Sequence, residues 1–137
     1  MTHALDIEAL RKRFTPTWKA YGETTVTVLY DNDRAGEEPP AKFIRFSVRP
    51  SGIEYTNLGG DRTRAHTFGR VWMQVAVPIG AHANDAWKLA DKAAAIFRRW
   101  RSETGDLFCK NIETDLIQDT KHYIVNVKVS YEGRHYT

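Results

Sequence analysis

Between Phe68 and Trp100 the chain changes its hydrophobic period. Val71, Met73, Val75 and Val77 alternate with Trp72, Gln74 and Ala76, the period of two that sends successive side chains to opposite faces of a sheet. Apolar groups fall on both sides, which predicts a central, doubly covered strand. Pro78, with no N–H to give a ladder, ends it. Beyond a turn at Gly80 the period becomes helical. Stepping about 100° per residue gathers Ala83, Ala86, Trp87, Leu89, Ala90, Ala93, Ala94, Ile96, Phe97 and Trp100 on one half of the circumference. Asn84, Lys88, Asp91, Lys92, Ala95, Arg98 and Arg99 take the other half. The spacing predicts a long amphipathic helix over about 84–101, capped by Asn84 or Asp85, with Arg98, Arg99 and Arg101 where the helix dipole favours cations.

The rest of the chain reads in the same way. Ile7, Leu10 and Phe14 predict a shorter helix over about 5–14, stopped by Pro16. The run Thr24 to Tyr30 is β-branched and alternating, a first strand. Lys42 to Arg49 is a second, with Ile44, Phe46 and Val48 on one face and Arg45, Ser47 and Arg49 on the other. Gly52 to Thr56 extends it toward Asn57-Leu58-Gly59-Gly60-Asp61, a hairpin tip, so a β-hairpin over about 52–68 should project. Leu107 to Ile117 and His122 to Tyr131 close the sheet around Gln118-Asp119-Thr120-Lys121, and Gly133 to Thr137 is expected to be a loose end. The order of elements implies a single α+β domain over residues 1–137, a mainly antiparallel sheet with helices packed on it.

Composition narrows the picture only a little. A chain of 137 residues is long enough to bury a core without staples. No apolar run approaches the ~20 residues that span a bilayer, so a membrane role is not expected, and the start lacks the basic and apolar regions of a secretory signal. One cysteine, Cys109, excludes an internal disulfide and suits a reducing compartment. Lys plus Arg exceed Asp plus Glu, 20 against 17, too small a margin to argue for nucleic acid by itself. The basic clusters are Arg11-Lys12-Arg13, Arg62 with Arg64, and Arg98-Arg99-Arg101. If they met in space they would steer acidic partners; separately they are solvated charge.

Enzyme signatures fail. The sequence has no phosphate loop, no Gly-x-Ser-x-Gly elbow and no zinc-protease histidine pair. Asp31-Asn32-Asp33-Arg34-Ala35-Gly36 starts like a calcium loop, but Ala35 occupies the fifth position and Lys42 the twelfth, where a bidentate Glu is required. It reads as a polar connection. Cys109 could be a nucleophile with His66 or His122, although its place in a strand favours a small buried hydrophobe. No catalytic residue, cofactor or metal is expected.

A larger pattern joins these pieces. Tyr30-Asp31-Asn32, Pro39-Pro40, Phe43-Ile44-Arg45-Phe46, Phe68-Gly69-Arg70-Val71-Trp72-Met73-Gln74-Val75, Val77-Pro78-Ile79-Gly80 and Leu89-Ala90-Asp91-Lys92-Ala93-Ala94-Ala95-Ile96-Phe97-Arg98 follow in an order that resembles the tail terminator, or tail completion, proteins of long-tailed bacteriophages. The resemblance covers most of the chain. It implies a virion protein made in the bacterial cytoplasm, encoded by a phage or prophage, without an active site. Its partners would be copies of itself, in a ring that is usually a hexamer, then the tail tube protein and a head-completion or connector protein. Membrane and nucleic acid are not expected partners.

A closing ring needs two unlike surfaces per subunit. The charged candidates are the acidic loop Asp31, Asp33, Glu37 and Glu38 and the basic hairpin tip Arg62 and Arg64, each otherwise an ordinary solvated loop. A rival reading is a small nucleic-acid-binding module in which Trp72, Phe43 and Tyr123 stack bases. A second rival is a small enzyme built on Cys109 and a histidine.

Overall fold

A computed structural model describes residues 2–30, 40–55, 64–80, 83–118 and 121–136. Within them run α1 (Thr2–Ala20), β1 (Thr27–Tyr30), β2 (Phe43–Tyr55), β3 (Arg64–Pro78), α2 (Ala83–Phe97), β4 (Leu107–Gln118) and β5 (His122–Tyr136). The strands form one sheet in the order β1-β2-β3-β5-β4. β1 is parallel to β2 and every other pairing is antiparallel. The fold is α+β, with a mainly antiparallel sheet.

β3 is central, as its alternation predicts, but the helices cover one face of it only. α1 packs on β3 and β2, and α2 on β5 and β3. Beneath them Ile44, Phe46, Val71, Met73, Val75, Val77, Val125, Val127 and Val129 meet Leu10, Phe14 and Trp18 of α1 and Ala86, Leu89, Ala90, Ala93, Ile96 and Phe97 of α2. The small side chains of α2 let its backbone approach the sheet. Stacked rings join the layers, Phe14 to Phe46 at 4.5 Å and Phe46 to Phe97 at 6.3 Å between centroids. Truncating such a buried ring typically costs about 3–5 kcal/mol.

The helices depart from their expected lengths in opposite directions. α1 runs through Pro16 to Ala20 and is the longer helix. Proline removes one ladder bond, yet Phe14 and Trp18 stack on one another one turn apart and both are buried. Core burial therefore carries the helix across the missing bond. The buried stripe of α1 is Asp6, Leu10, Phe14 and Trp18, and Ile7, read as its inner residue, is 36% exposed. α2 starts at Ala83, so Asn84 and Asp85 lie in its first turn and do not cap it. It stops at Phe97, short of the expected Arg101. Arg99 adopts a left-handed φ of 53°, which turns Trp100 so that its carbonyl accepts from Cys109 N at 3.0 Å.

Two strands are also longer than their patterns. β2 is continuous to Tyr55, with a register shift between Pro50 and Gly52. β5 continues to Tyr136, and Arg64 to Thr67 of β3 pair with its last residues, so the stretch expected as a loose end is largely ordered strand. Gly133 makes this possible: a Cβ there would collide with Thr67 Oγ1 and lie 2.9 Å from Asp6 Oδ1. The calcium-like segment, the acidic loop, the tip Asn57 to Asp61 with Arg62, and Asp119-Thr120 lie outside the described residues.

Candidate assembly surfaces

The sheet has two unlike edges. β1 is a four-residue edge strand, whereas β4 is a twelve-residue edge. The start of β4 is tied to the segment after α2 by Cys109 N to Trp100 O and Ser102 N to Leu107 O, and beyond that its outer N–H and C=O groups form a template for another chain. From Glu113 to Ile117 every residue of β4 is exposed. Leu116 is 51% and Ile117 47% exposed. Adjacent apolar residues in a strand fall on opposite faces, so this end is greasy on both sides of a bare edge. Glu113 and Asp115 precede them, and Asp115 pairs with Lys128.

On the far edge, α1 and β1 enclose an apolar groove of about 310 Å³ lined by Phe14, Trp18, Val26, Val28 and Tyr30. Tyr30 is fixed from both sides: its hydroxyl shares a 2.6 Å hydrogen bond with Thr15 Oγ1, and the Arg11 guanidinium lies 3.9 Å above its ring. Lys19 stands at the groove's rim.

The helix-free face is different again. Phe43, Leu29, Ala76 and Ile124 form a small buried cluster at one end, with His122 edge-on to Phe43 and its Nε2 3.2 Å from Pro40 O. The other end is cationic. Trp72 carries Arg49 4.2 Å and Lys128 4.4 Å from its ring centre, one arriving from β2 and the other from β5. Phe108 lies beneath Arg101, Arg134 and Lys110, at 4.8, 5.5 and 5.9 Å.

Under the end of α1 lies a buried polar knot. Asp6 is 1% exposed; Thr67 Oγ1 donates to its Oδ2 at 2.5 Å, and His135 Nε2 bonds its Oδ1 at 2.8 Å. The Tyr131 hydroxyl nearby is buried with no partner among the described residues. Its pKa is driven up by burial first, then by Asp6 and Cys109.

These positions separate the residues read from sequence as possible chemistry. Cys109 is buried on the helix-covered face, whereas His66 and His122 pair through positions that point to the other face. Burial pushes the thiol up to about 12, against a weaker opposing pull from Arg13. Among the described residues no group of His, Cys, Asp and Glu could hold a metal ion. No described helix is long and apolar enough to cross a membrane. Of the stacking candidates, Tyr123 lies on the helix side, its hydroxyl accepting from Trp87 Nε1 at 3.2 Å, and Trp72 is covered by cations.

The basic clusters at 11–13 and 98–101 do not form one patch: Arg13 Nε donates to Ile96 O at 2.9 Å in the last turn of α2, but Arg11 lies on Tyr30 of β1 and Arg101 on Phe108 of β4, at opposite edges of the sheet. Of the charged interface candidates, Arg64 is exposed at the start of β3, while Asp31, Asp33, Glu37, Glu38 and Arg62 lie outside the described residues. Leu116 and Ile117 were not legible as a surface in the strand pattern. Their signal was a break in alternation, two large apolar neighbours beside Glu113 and Asp115.

No protein-family model and no curated protein matches the chain. Solved structures do. One, of a protein without a descriptive name, is similar over 95% of this chain and 94% of its own, with a TM-score of 0.67 at 22% identity. That likeness shows the fold.

Proposed function

We propose that this chain is a structural subunit of a long-tailed phage particle, a tail terminator that closes as a ring on the tail tube and offers the surface to which the head docks. The observation that carries the reading is the pair of unlike edges. The exposed apolar end of β4 and the groove beside β1 lie at opposite sides of one sheet. A contact from one to the other is head-to-tail, and such contacts generate rings when the rotation closes. Leu116 and Ile117 of one subunit seat in the groove of the next, where Lys19 faces Glu113. The order of strand, turn and helix shared with phage terminators supports the same role.

In this reading the amphipathic helix holds the sheet and makes no partner contact. The paired ends of β2 and β3, where Tyr55 is 63% exposed and Arg64 is exposed, face tube or head. No catalytic step belongs to the role.

Electron microscopy of tails from a lysate with and without the protein tests it. Overlong or headless tails without it, cured by adding it back, are the expected result. Normal tails of normal length in its absence would overturn the assignment.

A further inference from the structure

The sequence interleaves acids and bases, but the fold sorts them. On the helix-free face Glu132 is paired with Lys110 and lies 3.6 Å from His66, and Asp115 is paired with Lys128. Glu113 opposite Lys128 and Glu54 opposite His66 are exposed, so cations outnumber the carboxylates of the face without excluding them. Arg45, Arg49, Arg70 and Arg134 have no carboxylate partner among the described residues. Arg49 and Arg70 are also direct cross-strand partners. Like charges placed opposite one another destabilise a sheet, so the fold gains nothing from this pairing. The row continues on β5 with Ser130 opposite Arg70, a hydroxyl beside two guanidinium groups.

The arrangement runs along a line. Arg45 lies four residues before Arg49, and Arg134 pairs with His66, four residues before Arg70. At about 3.3 Å per residue each step is about 13 Å. A line of fixed cations about 26 Å long matches an extended polyanion. A protein partner would need free apolar anchors at the centre of its contact. Here Phe68, between His66 and Arg70 on the same face, is a single apolar point at 36% exposure, and the other rings, Trp72 and Phe108, lie under cations. The same cover prevents base stacking on Trp72.

We infer that the helix-free face is a nucleic-acid surface that contacts the phosphate backbone through Arg45, Arg49, Arg70 and Arg134, without sequence preference. It is independent of the ring contact, which uses the sheet's edges.

The test is fluorescence anisotropy of the full chain with a labelled mixed-sequence DNA duplex of about 20 base pairs, over about 50–200 mM salt, where each phosphate neutralised contributes about −0.9 to the logarithmic slope. The expected slope is about −3 to −4, and Arg49→Gln with Arg70→Gln lowers its magnitude by about 2 and weakens low-salt binding about tenfold or more. Arg98→Gln with Arg99→Gln, exposed beyond α2, should leave both unchanged. Circular dichroism checks folding; if the double variant fails to fold, Arg70→Gln alone, which touches no ring, should remove about 1 from the slope. No salt-dependent binding, or equal losses in both double variants, would overturn the assignment. Displacement by polyglutamate as effective as by unlabelled duplex would also overturn it, in favour of an acidic polypeptide partner.

Discussion

Asp6 and Gly133 show what single residues decide here. The Asp6 carboxylate is out of water and lives on Thr67 and His135, and Gly133 is the gap that lets those groups close around it. Asp6→Ala leaves both donors unpartnered, and about 1–3 kcal/mol of stability should be lost, read as a shift in the urea midpoint. Gly133→Ala forces a methyl into the same space and should cost about 1–3 kcal/mol. Cys109 gives a pH test. In the unfolded chain its thiol ionises near 9.0, and in the folded protein near 12. The stability this contributes is whole below about pH 9 and is lost as pH rises toward 12, at no more than about 1.4 kcal/mol per pH unit. Tyr131 acts in the same direction at still higher pH. Unfolding midpoints should therefore fall between about pH 8.5 and 11, and a flat profile would contradict the burial. None of this knot was legible in the sequence, because it joins residues distant in the chain by polar contact, which leaves no period.

At the scale of elements, the periodic signals were good guides where packing and propensity agree. The alternation of β3 placed it centrally, and the small-residue face of α2 placed that helix on the sheet. Boundaries were less legible where tertiary contacts override local chemistry. Pro16 predicted a stop that the burial of Trp18 cancels, and Gly133 read as a loose end because its value lies in what it lets approach. Pro16→Ala restores a ladder donor in an otherwise regular helix and should raise stability by about 1 kcal/mol or more, seen as a higher melting temperature. No gain would mean that the chain is already adjusted around the proline. The second half of β4 belongs to the same class: its pattern marked a strand and could not tell that the helix layer leaves it bare.

For the molecule as a whole, the proposed ring makes a mutational prediction separate from the tail phenotype. Leu116→Asp with Ile117→Asp alters residues that are about half exposed, so the folded subunit should keep its stability within about 0.5 kcal/mol. Added to tails that lack the terminator, the variant should fail to cure them, whereas the helix-free-face variant Arg49→Gln with Arg70→Gln should cure them. A double-aspartate variant that restores tail length would remove β4 from the contact.

The knot that ties Asp6 of α1 to His135 of β5 spans 129 positions. During synthesis the helix is made early, but the strand that completes its buried carboxylate and flanks β3 is made last. Until then one side of the central strand and the part of α2 that packs on β5 stay uncovered, so the fold cannot be finished piecemeal from the amino end. A chain cut short before β5 is left with an open sheet, and aggregation rather than a smaller native domain is its expected fate.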